Sequence, residues 1–112
     1  MMSKEISWQD FEKVDIRVGT IKDAQDFPKA RKPAYKLWID LGELGVKQSS
    51  AQITDIYSKE ELIGKQVLYV TNFPNRQIAD FISEVLTTGF IQDDGVILAT
   101  TDSRVKEGTR LM

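Results

Sequence analysis

The alternation of apolar and polar residues predicts three strands in the first half of the chain. The clearest is at residues 35–41, where every second residue from Tyr35 to Leu41 is large and apolar, as in a half-buried strand. Residues 15–26 form the first strand, and its alternation changes phase at Gly19, which suggests a bulge or a sharp bend. Residues 46–53 form the third strand.

Two short stretches have the features of helix starts. Ser7 can accept a hydrogen bond from a free backbone N–H, and it precedes a predicted helix at residues 8–14. The sequence Ser-Lys-Glu-Glu at residues 58–61 is a capping-box pattern and predicts a second helix. A helix as short as the first is marginal alone, so its apolar face, Trp8 and Phe11, must dock on another surface.

The second half of the chain predicts more strands. They cover residues 66–72, 83–90 and 96–100, with turns at residues 72–76 and 93–95. The predicted order is three strands, a short helix and then further strands. An OB fold has this order, although other small barrels share it. We therefore predict an all-β fold, an OB-fold five-stranded Greek-key barrel with short helices, as a single domain over residues 1–112.

Composition argues against catalysis. The 112 residues include no histidine and no cysteine, which removes the commonest general base, the commonest metal ligand and thiolate zinc sites. Asp93 and Asp94 precede a glycine, as in a solvated turn. Ser49 and Ser50 have no histidine to activate them. We expect no enzymatic activity, no cofactor and no metal.

Charge is unevenly distributed along the chain. The net charge is −2, but residues 27–50 carry five basic and two acidic side chains. The overall acidity argues against a general nucleic-acid binder, whereas the local excess predicts one basic patch. The N-terminal residues have no signal-peptide pattern, and no apolar run is long enough for a membrane span. We expect a cytoplasmic protein without membrane insertion.

Two groups of residues suggest ligand contacts. The basic segment at residues 29–36 lies between the first two strands, close to Tyr35 and Trp38, and basic groups with aromatic side chains can hold a nucleic acid. The alternative is a solvated loop with Tyr35 in the core. A second group could line an apolar groove or belong to the core, and it consists of Phe73, Phe81 and Phe90.

Several motifs resemble a known family. Residues 11–21 look like the opening of the tRNA-binding domain in the C-terminal extension of methionyl-tRNA synthetases and in free-standing relatives, and residues 39–42 and 61–67 match the same pattern. Residues 47–53, residues 72–74 with Arg76, and residues 83–86 are similar to the CsaA branch of that family.

The resemblance implies an OB fold, no enzymatic activity and a homodimer. It also implies binding of unfolded or preprotein segments in support of Sec-dependent export, with the export machinery as a possible partner. A tRNA-binding protein is the alternative function. We expect the helix with Trp8 and Phe11, together with residues 105–112, to form the dimer contact.

The polar run on the third strand suggests where the ligand binds. Such a run is poorly explained as barrel core, because buried hydroxyls and amides need partners. The alternative is that the two serines satisfy the backbone locally at a bulge. Combined with the family motifs, the run predicts one peptide- or RNA-binding face of the barrel that holds Lys36, Gln48, Ser49, Ser50, Phe73, Arg76 and Ser83.

Overall fold

The strands of this protein form one curved five-stranded sheet and two hairpins. A computed structural model describes residues 4–112. Met1–Ser3 lie outside the described residues. They belong to the N-terminal stretch that lacks a signal-peptide pattern. The strands in chain order are β1 (Ile16–Asp26), β2 (Tyr35–Asp40), β3 (Val46–Ala51), β4 (Gln66–Val70), β5 (Arg76–Ile78), β6 (Phe81–Ser83), β7 (Leu86–Thr87), β8 (Gly89–Gln92) and β9 (Gly95–Leu98).

The sheet has the strand order of the predicted barrel. Its neighbours run β3-β2-β1-β4-β7, while β5 pairs with β6 and β8 with β9. Every pairing within the sheet is antiparallel. When β7 meets β3, this order closes into a five-stranded OB-fold barrel. The predicted fold class is confirmed.

Both predicted helices form at their capping residues. Helix α1 (Trp8–Glu12) begins after Ser7, whose hydroxyl accepts from the Asp10 backbone N–H at 3.1 Å. Helix α2 (Lys59–Leu62) has the same reciprocal box at Ser58. Helix α1 stops two residues before the predicted end and buries none of its residues.

Three local predictions need correction. The irregularity in β1 lies between Ile21 and Asp23 rather than at Gly19. A Cβ on Gly19 would lie 2.3 Å from Ile39 Cγ2, so this glycine allows close packing inside the barrel. Residues 83–90 are divided among three short strands, and β5 begins at Arg76, within a segment predicted as a turn.

The core fills the barrel and is capped by α2. Leu37 and Ile39 point inward from β2 and Leu62 closes one end, each fully buried. Burial raises the pKa of the Tyr69 hydroxyl, because an apolar interior disfavours the phenolate. A smaller cluster outside the barrel contains Phe27, Ala34 and Phe81.

Polar groups close the barrel between β3 and residues 82–87. The backbone N–H of Glu84 donates to the Gln48 carbonyl at 2.8 Å, and Gln48 Nε2 donates to the carbonyl of Ile82 at 3.0 Å. The Ser49 and Thr87 hydroxyls lie 2.8 Å apart. The Ser49 hydroxyl therefore has its partner on β7 rather than at a local bulge.

Ser83 and Ser50 give a matched test of this closure. The Ser83 hydroxyl accepts from the Ser50 backbone N–H at 3.1 Å. Ser83→Ala is expected to lower the free energy of unfolding by about 1–3 kcal/mol, because it leaves that N–H without its partner. Ser50→Ala keeps the bond and should change stability by less than about 0.5 kcal/mol. Urea unfolding of both variants measures the difference, and equal effects would contradict this role of Ser83.

Candidate functional site

A cleft opens beside the closed part of the barrel. Its volume is about 900 Å³. The loop after β1 forms one wall, the end of β3 and strand β5 form the floor, and β7 to β9 form the opposite wall. The cleft is lined by Ala30, Arg31, Lys32, Ala34, Ser50, Ala51, Gln52, Ile53, Arg76, Ile78, Leu86, Thr87, Thr88, Gly89, Ile91, Val96 and Leu98.

A smaller groove joins the cleft at Arg76. Its volume is about 370 Å³. Arg76 and Leu86 line both spaces, so a ligand that fills one of them also meets the edge of the other. The groove is lined by Ser50, Phe73, Pro74, Arg76, Ile78, Ser83, Glu84, Val85 and Leu86.

The larger cleft is basic although the protein is acidic. Arg31, Lys32 and Arg76 line it, and within residues 4–112 no acidic side chain does so. None of these three cations is ion-paired to another side chain of the described residues. They are therefore available to an acidic group of a ligand.

One ion pair fixes the basic loop to the neighbouring hairpin. Lys29 Nζ lies 2.8 Å from Asp80 Oδ2, at the turn between β5 and β6. The hydrogen bond from Lys29 holds the pKa of the Asp80 carboxyl below its usual value, because the bond favours the ionised form. The pair connects the loop that carries Arg31 to the β5–β6 hairpin that carries Arg76.

The structure brings four of the seven predicted site residues into the smaller groove. They are Ser50, Phe73, Arg76 and Ser83. Lys36 is paired with Ser50 in the register of β2 and β3. Its ammonium nitrogen, however, lies 5.7 Å and 5.9 Å from the ring centroids of Phe27 and Phe81, within cation–π range.

The other two predicted residues serve the barrel. Ser49 is 0% exposed and points inward, because it lies opposite buried Leu37 and side chains alternate between the faces of a strand. The Gln48 side chain donates to the Ile82 carbonyl and accepts from Trp38 Nε1 at 3.2 Å. Ser49 does not belong to the external face on which it was predicted.

The candidate aromatic residues separate into core and surface. Tyr35 is buried and donates its hydroxyl to the Tyr57 carbonyl at 2.8 Å. Phe81 is 6% exposed and packs edge-on against Phe27 and Trp38. Phe73, at 55% exposed, lines the smaller groove. In the described part of the chain, no aromatic side chain lines the larger cleft.

Of the residues that line the larger cleft, the predicted site set included only Ser50 and Arg76. Gln52 lies one residue after β3 and continues the alternation of Gln48 and Ser50, so this periodicity could have identified it. Leu86 lay within a family motif. Ile91 is 87% exposed, but its place in the cleft depends on how the β8–β9 hairpin folds back, for which the sequence carries no local signal.

Neither a candidate metal cluster nor a membrane-spanning helix is found among the described residues. Across residues 4–112, no group of three or more acidic, histidine or cysteine side chains is placed to hold a metal ion. No helix in that range combines the length and apolar character required to span a membrane.

Sequence comparison relates this chain to a domain of larger enzymes. Residues 16–110 match the family described as "Putative tRNA binding domain". The chain is 35% identical over 101 residues to the methionine–tRNA ligase of Methanocaldococcus jannaschii, covering 89% of this chain and 15% of the ligase. It therefore spans only a small part of that relative.

Structural comparison relates the whole chain to free-standing proteins. The crystal structure of chaperone CsaA from Bacillus anthracis superimposes with a TM-score of 0.91 at 44% identity, covering 97% of this chain and 100% of that one. The CsaA chaperone protein from Picrophilus torridus gives 0.91 at 53% identity, covering 96% and 100%. A MetRS-related protein from Pyrococcus horikoshii gives 0.85 at 25% identity, covering 98% and 100%.

Two phenylalanines test the division between groove and core. Phe73→Ala is expected to change the free energy of unfolding by less than about 0.5 kcal/mol, because the ring is more than half exposed. Phe81→Ala should cost about 3–5 kcal/mol, since it removes a buried ring. Thermal unfolding compares the two, and a large loss for Phe73→Ala would place that ring in the core.

Proposed function

Since this chain belongs to the "Putative tRNA binding domain" family, we propose that it is a member acting as a chaperone, which binds unfolded or preprotein segments in support of Sec-dependent export. The observation that carries the proposal is the cleft, where apolar, hydrogen-bonding and basic groups are combined without an acidic one. The likeness to CsaA chaperones at 44% and 53% identity over nearly the whole chain supports it.

The chemistry of the cleft suits a ligand of varied sequence. Ile78, Leu86 and Ile91 accept apolar side chains without selecting one shape, and Arg31 and Arg76 attract carboxylates. An unfolded segment presents both kinds of group along an extended backbone. A surface of this kind binds many sequences with modest affinity.

The proposal is for a binding protein and not an enzyme. The family and the neighbouring structures are described by tRNA binding and chaperoning rather than by a reaction. Binding a chain before export requires no cofactor. We place the protein in the cytoplasm, where such chains are made, with the export machinery as a partner.

Binding of tRNA is the second candidate function. Three unpaired cations in one cleft favour it, because phosphate neutralisation supplies most of the affinity for nucleic acids. The match to a part of methionine–tRNA ligases favours it as well. Against it, only Phe73 among the groove and cleft residues offers an aromatic face for a base.

We propose in addition that the protein is a homodimer. Trp8 in α1 is 60% exposed although it stacks on Phe11 with ring centroids 5.5 Å apart. The C-terminal residues pack beside this helix, since Arg110 donates to the Glu12 carbonyl. Leu111 and Met112 are exposed in the same segment. These apolar groups are available to a second copy.

A salt titration separates the two candidate ligands. Reduced, carboxymethylated α-lactalbumin serves as an unfolded chain and bulk tRNA as the nucleic acid. We expect the unfolded chain to bind with an affinity that changes little between low and moderate salt, whereas tRNA affinity should fall steeply if tRNA is bound at all. Tight, salt-steep binding of tRNA without binding of the unfolded chain would replace the chaperone proposal.

Arg76→Ala shows whether the cleft makes the contact. It should weaken binding of the unfolded chain about two- to fivefold, as for loss of an exposed charge contact, and leave the melting temperature nearly unchanged. Lys22→Ala removes an exposed cation outside both grooves and is the matched control. Equal affinities in the two variants would exclude Arg76 from the site.

The dimer can be tested by sedimentation velocity at micromolar concentration. We expect a dimer for the unmodified protein and a monomer for Trp8→Glu, because a buried charge opposes association, while glutamate is favourable in a first helical turn. Phe90→Glu changes an equally exposed ring on the β8–β9 hairpin and should remain dimeric. A monomeric unmodified protein would refute the proposal.

A further inference from the structure

The outer edge of β3 is covered along only part of its length. In the register of β2 and β3, Gln48 lies opposite Trp38 and Ser50 opposite Lys36. The Gln48 backbone bonds to residue 84 rather than to β2. Because backbone direction alternates along an antiparallel pair, the N–H and C=O groups of Gln48 and Ser50 point away from β2. Gln52 follows the last residue of β3, Ala51, and the same alternation extends to it.

Towards the end of the strand, fewer of these outward-pointing backbone groups have a hydrogen-bond partner. Both backbone groups of Gln48 are bonded to residues 84 and 85. The N–H of Ser50 is bonded to the Ser83 hydroxyl. Within residues 4–112, neither the Ser50 carbonyl nor the backbone of Gln52 has a hydrogen-bond partner outside the β2–β3 pairing.

The uncovered edge lies within the larger cleft. Ser50, Gln52 and Ile53 line that cleft, with Thr87 and Gly89 on the facing wall. A volume of about 900 Å³ is in the range of protein ligand pockets. The free edge is therefore accessible from a space large enough for a ligand.

We propose that the ligand is an extended polypeptide segment that adds a strand to β3 at Ser50 and Gln52. This deepens the proposed chaperone function and rests on it. Two peptide N–H groups, two residues apart, donate to the carbonyls of Ser50 and Gln52. One peptide carbonyl accepts from the Gln52 N–H. This is strand addition to a sheet edge, in which the main chain supplies the bonds and sequence matters less.

The charge of a peptide segment determines how well it matches the cleft. Arg31, Lys32 and Arg76 surround the free edge, and in the described part of the chain no acidic side chain lines the cleft. An extended segment with a carboxylate beside its apolar residues therefore matches the cleft better than a basic segment. Helical segments are excluded as ligands in that form, because their backbone groups are already bonded to one another.

The free edge favours a peptide over RNA. Alternating donors and acceptors along a strand edge match the spacing of a polypeptide backbone, whereas a nucleic acid would need stacking surfaces. The larger cleft has no aromatic lining within residues 4–112. Binding of RNA alone is therefore an outcome that overturns the inference.

The first experiment uses methylated peptides. Overlapping nine-residue peptides from α-lactalbumin are tested against the unmodified protein, and the tightest binder is then N-methylated at one amide at a time. We expect two positions, two residues apart, to weaken binding about tenfold or more, because methylation removes a donor and blocks the edge. The amide between these two positions should tolerate methylation.

The second experiment changes the edge itself. Gln52→Pro removes the N–H donor, and proline is accepted at an edge position because this N–H has no partner in the free protein. It should weaken the same peptide about tenfold. Gln52→Ala removes the same side chain but keeps the donor, so Gln52→Pro should bind the peptide about tenfold more weakly than Gln52→Ala. If Gln52→Pro does not fold, the methylated peptides still decide the question.

The outcomes separate this inference from the proposed function. If α-lactalbumin peptides bind but no alternate pattern of sensitive amides is found, strand addition is wrong and the chaperone proposal stands. If neither the unfolded chain nor its peptides bind, or if only RNA binds, both fail. If Gln52→Pro and Gln52→Ala fold and bind the peptide equally, the edge at Gln52 is not used.

Discussion

The polar contacts between β3 and residues 82–87 hold the barrel closed, and the position of both grooves depends on them. Strand β7 is only two residues long, which is too short for a long backbone ladder. Side chains therefore make much of the closure, through Gln48, the Ser49–Thr87 pair and Ser83. Because each of these groups would be costly to bury unpaired, the contacts specify one position for the 82–87 segment.

The proposed binding edge of β3 begins where the contacts that close the barrel end. Along the outer edge of β3, both backbone groups of Gln48 and the N–H of Ser50 are hydrogen-bonded. Within residues 4–112, the Ser50 carbonyl and the backbone of Gln52, the residue after β3, have no such partner. An unpaired strand edge is a hazard in most proteins, because it invites other chains to pair with it. In a protein proposed to hold unfolded chains, that property becomes the function.

The basic side chains also divide into those that stabilise the fold and those available to a ligand. Lys29 is paired with Asp80 and Lys36 lies over two rings, so both stabilise the wall of the cleft. Arg31, Lys32 and Arg76 line the cleft itself and form no ion pair with another described side chain. A protein of net charge −2 thus presents a local positive surface, which suits the proposed contact with carboxylates of an unfolded chain.

The sequence by itself determined the elements whose signals are local. Alternation predicted β2, and the N-cap at Ser7 and the capping box at Ser58 predicted both helices, because these features depend on neighbours within a few residues. Their order predicted the OB fold. Only the tertiary structure decided that Ser49 faces inward while Ser50 borders the groove, and that Phe73 is exposed while Phe81 is buried. Those outcomes depend on partners more than thirty residues away, such as Ser83 for Ser50. Strand register and hairpin packing set such pairings, and the local pattern of apolar and polar residues specifies neither of them.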